Sequence, residues 1–147
     1  MKIIAMQGVP GSGKSSTVAR LAAEHNAVVI CLDDIRAELT GDASDQSRNA
    51  EVMPLATARA SAALAAGRSI IVDSTMIKRE WLGSWEAMAS KHGADLVLVS
   101  VRVTLATAQA RNASRSRVVP AHVIERMYND LQAFDYRGLR VQVVDNN

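Results

Sequence analysis

Cysteine is almost absent: Cys31 stands alone, so no internal disulfide framework can form and a reducing cytoplasm suits the chain. Histidine is scarce too. His25, His92 and His122 are scattered, and together with one thiol they match no zinc-ligand spacing. No apolar run nears a membrane span and no charged-then-apolar leader is visible, so the expectation is a cytoplasmic protein with no membrane association. Low-complexity tracts and internal repeats are missing, which removes repeat architectures from consideration. Excess charge is slight, because a formal net charge of +2 is too mild for composition alone to argue for nucleic acid. The guanine-reading tetrapeptide Asn-Lys-x-Asp does not occur, and Asp135-Tyr136-Arg137-Gly138 fits Asp-x-x-Gly only late in the chain. A nucleotide-dependent switch is therefore the less favoured class, and stabilisation by GTP but not ATP would revive it.

What is present is concentrated near the start. From Gly8 to Ser16 the chain reads Gly-Val-Pro-Gly-Ser-Gly-Lys-Ser-Ser, which fits G-x-x-x-x-G-K-[ST] at every fixed position. Met1 to Gln7 ahead of it reads as a buried strand, and Val18, Leu21, Ala22 and His25 after it recur at helical spacing. Glycines at Gly8, Gly11 and Gly13 permit the φ values and close backbone approach that let successive amides turn onto one anion. The helix starting near Lys14 adds its positive end. Gly8, Pro10, Gly11, Ser12, Gly13, Lys14, Ser15 and Ser16 are thus expected to cradle the phosphates of a nucleoside triphosphate such as ATP. Lys14 is placed to reach the β and γ phosphates, and the Ser15 hydroxyl to hold Mg²⁺.

At 147 residues, nearly half of them apolar, the chain is expected to be a single domain, 1–147. Strand-length apolar runs recur at Ile3–Met6, Ala27–Leu32, Ile70–Val72, Leu96–Val101 and Val141–Val144 with helical pattern between them. That alternation predicts an α/β fold with a five-stranded parallel sheet and helices on both faces. Helices are expected at Lys14–His25, from about Asp33, within Ser47–Ala66, at about Lys78–His92, at about Leu105–Asn112, and from Pro120. Pro54 either kinks the third or belongs to its first turn. Trp81, Leu82, Trp85, Met88 and Ala89 are expected to pack one face of the fourth into the core.

Cys31-Leu32-Asp33-Asp34-Ile35-Arg36 closes the second strand, at the sheet edge where an open α/β fold places its ligands. Either aspartate could take the proton of an attacking hydroxyl, the other serving as helix cap or surface charge. Arg36 lies about one helical turn after Asp33 and is suited to an acceptor phosphate. Ser69 to Asp73 ends in an acid beside the loop, so Asp73 is the expected second Mg²⁺-organising group. Arg111, Arg115 and Arg117 fall in one short run, expected to be a lid at about 111–119 that neutralises charge on the transferring phosphoryl.

With these residues assembled, the chain resembles the 5′-hydroxyl polynucleotide kinases, the kinase module of nucleic-acid end-healing enzymes. The likeness runs from Met1 to about Leu131: the phosphate loop, Asp33-x-x-Arg36, Val72-Asp73-Ser74-Thr75, and Arg111-Asn112 with Arg115 followed by Val118-Val119-Pro120 and Val123 to Tyr128. The resemblance implies that Asp33 is the general base, that Arg36 binds the acceptor phosphate, and that Arg115 is the lid arginine touching the triphosphate. It implies Lys14, Asp33, Arg36 and Arg115 as the catalytic set, Arg111 and Arg115 as donor contacts, and a 5′-OH end of DNA or RNA as acceptor. Leu32 stands where some relatives carry a basic residue, the lid is shorter by about a residue, and no Asp-x-Asp-x-Thr phosphatase element exists. The alternative is a kinase of a nucleoside, modified base or other small alcohol using the same residues. Oligomeric state is left open by the sequence.

Overall fold

Strand β1 (Lys2–Gln7) forms from a run that is apolar on both faces, as a strand covered from both sides requires, and Ile3 to Met6 are at most 2% exposed. The structure is a computed structural model describing residues 1–147. Parallel partners are β2 (Val28–Cys31), β3 (Ile70–Asp73), β4 (Asp95–Arg102) and β5 (Val141–Asp145), in the order β2-β3-β1-β4-β5. This is the expected five-stranded sheet.

Side chains alternate across a strand, so successive residues of β1 serve opposite layers. Ile4 and Met6, with Ile71 and Val99, meet Val18 and Leu21 of α1 (Lys14–His25). Ile3 and Ala5, with Ile70, Val72 and Leu98, meet the other layer: Ile35 of α2 (Leu32–Thr40), Ala56 and Ala60 of α3 (Asn49–Ala65), and Trp85 of α4 (Gly83–His92). α1 leaves β1 on one face while the chain after β3 leaves on the other. A crevice therefore opens at the carboxyl ends of β1 and β3. Helices α5 (Leu105–Ala113) and α6 (Ala121–Gln132) stand over that end, where Ala108, Ile124 and Leu131 pack with Val9 and Ile77. No helix is long and apolar enough to cross a membrane.

Two local expectations change and one left open is decided. The fourth helix splits into a 3₁₀ turn at Arg79–Leu82 followed by α4, and the tighter winding puts the two tryptophans out of phase. Trp85 is 1% exposed, in a stripe with Leu82 and Ala89, whereas Trp81 is 46% exposed and not a core residue. Pro54 sits inside α3, past its first turn, where its missing N–H deprives the Ala50 carbonyl of a helical partner. Pro120 is the residue just before α6 and not its first helical one, at φ −55° and ψ 139°.

Candidate active site

The phosphate loop is tied to the end of β3 by its first amide, Gly8 N–H donating to the Thr75 carbonyl at 3.0 Å. Gly11 and Gly13 adopt φ of +86° and +79°, the left-handed region that glycine enters without strain. Space makes the same demand. A Cβ on Gly11 would lie 2.1 Å from the Ala108 carbonyl oxygen, and one on Gly13 2.3 Å from Asn146 Nδ2. With its backbone curled this way, the loop leaves the amides of Gly11, Gly13, Lys14 and Ser15 without a protein acceptor. The buried Ser12 hydroxyl also lacks a partner. Several inward donors at the start of a helix suit an anion, so the residues present fit a polyphosphate.

Lys14 Nζ bonds Asp73 Oδ1 at 2.6 Å, joining the loop to the acid at the end of β3. The Ser15 hydroxyl is exposed and makes no bond within the protein, and Ser16 Oγ donates to the Gly13 carbonyl at 3.0 Å. Hydroxyl and carboxylate oxygens are hard donors suited to Mg²⁺. No group of three or more His, Cys, Asp or Glu side chains gathers anywhere, so a cation there would take its other ligands from phosphate and water.

Pairing of Cys31 with Asp73 in the β2–β3 register brings the second and third strand ends together. Burial pushes the Cys31 thiol up to about 11, the Asp34 backbone N–H opposes the rise, and the carboxylates of Asp73, Asp34 and Asp33 add to it. The thiol stays protonated and is no nucleophile. Asp33 lies in the first turn of α2, with Arg36 NH1 on Oδ1 at 2.7 Å and Arg117 NH1 on Oδ2 at 3.0 Å. Arg36 is the more fixed partner, since its Nε also donates to Asn49 Oδ1 at 2.7 Å and its NH1 lies 3.4 Å from the Ala43 carbonyl. Asp34 is exposed and caps nothing; the N-cap residue is Cys31, so Asp34 is a surface charge.

The arginine run divides its members. Arg111 NH1 lies 3.4 Å from the Ser12 carbonyl oxygen, at the phosphate loop. Arg117 reaches α2, and Arg115 stands exposed with no side-chain bond. Both ends of the 113–118 segment are stapled by buried Asn112, whose side chain donates to the Val119 carbonyl at 2.6 Å and accepts its N–H at 3.0 Å. Asn49, Asn146 and Gln7 are not singled out by the sequence as site residues. Asn146 donates to the Ser12 carbonyl at 2.7 Å. Gln7, fully buried, donates to the Met76 carbonyl at 3.0 Å and accepts from Ser100 at 2.7 Å and Tyr136 at 2.8 Å. Asn112 and Arg117 carry a signal, their place in the run from Arg111 to Arg117.

A glycine-turned loop, a lysine on a strand-end acid and a crevice at the carboxyl edge define a P-loop domain with the kinase form of that fold. The family described as AAA domain matches residues 3–134, and the chain belongs to that family. A gluconokinase from Sinorhizobium meliloti 1021 is similar at 19% identity and TM-score 0.66, over 99% of this chain and 82% of that one. A chain of the Pnkp1/Rnl/Hen1 RNA repair complex is similar at 22% and 0.80, over 90% of this chain and 44% of that one. A sugar kinase from Janibacter sp. HTCC2649 gives 17% and 0.69, over 99% and 85%. These likenesses establish the fold. No curated protein matches the sequence.

Proposed function

We propose that the chain is a Mg²⁺-dependent kinase that transfers the γ-phosphate of ATP to the 5′-hydroxyl of a DNA or RNA end. The observation that carries this reading is the Asp33 carboxylate, held between the guanidiniums of Arg36 and Arg117 in the first turn of the helix that follows β2, whose last residue pairs with Asp73 at the end of β3. A guanidinium beside a base suits a hydroxyl with an anion close by. The acceptor oxygen forms a bond to the γ-phosphorus, the bond from that phosphorus to the β–γ bridging oxygen breaks, ADP leaves, and the hydroxyl proton passes to Asp33. A carboxylate suffices as base because proton removal comes late in a loose transition state. Lys14 and Arg111 bear on the donor phosphates, Arg115 and the 111–119 segment act as lid, and Arg36 orients the acceptor. Ser15 and Asp73 would hold Mg²⁺, which when bound offsets charge on the β and γ phosphates.

A second reading is a kinase of a nucleoside, modified base or other small alcohol. It is supported by the gluconokinase likeness, which spans 82% of that chain against 44% for the RNA repair component. Incubation with γ-labelled ATP and either a 5′-OH oligonucleotide or a panel of nucleosides and sugars separates the two. Label on the oligonucleotide alone upholds the first; label on small alcohols alone replaces it.

A further inference from the structure

Resting on that reading of Asp33 as base, we infer that Arg117 is a latch on it, released when an anion of the acceptor takes the Arg117 guanidinium in exchange. Both carboxylate oxygens of Asp33 carry a guanidinium, at 2.7 and 3.0 Å, so a proton arriving on either would meet a cation already there. The two arginines are not equally free to leave. Arg36 is 15% exposed and anchored to Asn49 and Ala43 as well. Arg117 is 40% exposed, its one side-chain bond is to Asp33, and it rides on a segment closed at its base by Asn112 and Val119. Its charge also helps hold the Asp42 carboxylate below its usual range, behind the Ser44 contacts. A phosphate can replace a carboxylate on a guanidinium; a neutral hydroxyl cannot. The latch therefore selects acceptors whose hydroxyl lies near a phosphate and disfavours neutral alcohols.

The test compares thymidine with thymidine 3′-monophosphate, which share one 5′-hydroxyl, as acceptors of label from ATP. Wild type is expected to favour the phosphorylated acceptor. Arg117→Ala should lower kcat/KM for it roughly ten- to hundredfold, mostly through KM. The same variant should raise kcat/KM for thymidine about two- to fivefold by freeing the base, and Arg117→Lys should restore part of the preference. An unchanged ratio between the two acceptors, including an equal loss on both, overturns the selectivity. A second arm needs no acceptor: limited trypsin cleavage after Arg117 is measured against cleavage after exposed Arg137, in wild type and Asp33→Ala. The latch predicts a roughly two- to fivefold faster relative cut in the variant, and an unchanged cut overturns it. If wild type labels neither the thymidine compounds nor a 5′-OH oligonucleotide while the cut accelerates, the kinase reading falls, and the latch with it, and only the Arg117–Asp33 contact remains. If labelling proceeds with neither ratio nor cut responding, the kinase reading stands and the latch falls.

Discussion

Replacing Gln7 by leucine tests whether a buried polar hub supports the phosphate loop from below. Gln7 is fully buried and bonds β1 to three other parts of the chain: the Met76 carbonyl, the Ser100 hydroxyl and the Tyr136 hydroxyl. Leucine is close in size, so the packing term is small and the loss is that of hydrogen-bonding partners. Tyr136 is half-buried and can turn to water, but the Met76 carbonyl and the Ser100 hydroxyl lie in the interior. The Met76 carbonyl loses its side-chain donor, and the Ser100 hydroxyl loses its acceptor while keeping the Arg102 Nε contact at 3.2 Å, so about 1–3 kcal/mol for the first and the lower end of that range for the second give about 2–4 kcal/mol. For a chain of this length that is a fall in Tm of roughly 5–15 °C. The nucleotide site should weaken as well. Met76 holds φ of +48°, a conformation β-carbon-bearing residues avoid, two residues before it Ser74 follows Asp73, and Gln7 is its side-chain tether. Thermal unfolding by circular dichroism, with Tyr136→Phe as a milder comparison losing one bond, reads the first effect, and nucleotide titration the second. A Gln7→Leu melt within about 2 °C of wild type would refute the reasoning, since it would mean the interior groups find other partners at no cost.

Asp33→Asn should keep ATP binding and cut phosphoryl transfer roughly 10²- to 10⁴-fold, checked by isothermal titration against labelling of 5′-OH ends; normal labelling removes the base assignment. Gly11→Ala puts a methyl 2.1 Å from the Ala108 carbonyl at φ +86°, so nucleotide affinity and Tm should both drop, whereas the same change at open Gly83 should leave affinity intact. Trp85→Ala should lose about 3–5 kcal/mol in urea unfolding, and Trp81→Ala less than about 0.5 kcal/mol. The Cys31 pKa, raised in the fold to about 11 from 9.0, means the unfolded chain releases this proton first, so its contribution to stability falls as pH rises from about 9 towards 11. Wild type should show a steeper alkaline loss than Cys31→Ser, and equal slopes would contradict the burial argument.

Short-range chemistry made the sheet and the phosphate loop legible. The apolar runs of β1 and β3 are buried on both faces, as central strands of a parallel sheet are, and the glycines at 11 and 13 answer to φ values and contacts that a β-carbon does not fit. Spacing also brought Arg36 to Asp33, because three positions is nearly one helical turn. What stayed hidden depends on separation along the chain. Arg117 meets Asp33 across 84 positions, Asn146 meets Ser12 across 134, and Gln7 meets Tyr136 across 129. No local pattern encodes such meetings, which follow from where the strands bring their loops. Trp81 departs from expectation for a different reason, while Trp85 is buried as expected: a 3₁₀ turn ahead of α4 shifts the angular phase, and a helical wheel drawn through both assumes one winding throughout.

The gap between Gly11 and the Ala108 carbonyl has no room for a methyl group. Helix α5 thus touches the phosphate loop backbone to backbone at its middle, and its first half cannot swing without dragging that loop. If the 111–119 segment moves as the proposed lid, it would pivot past Ala108, in the few residues up to the Asn112–Val119 staple and the span it encloses. So small a moving part keeps the ordering penalty low, at roughly 1–2 kcal/mol per residue fixed. The first half of α5 and the phosphate loop are, on this geometry, a single mechanical piece.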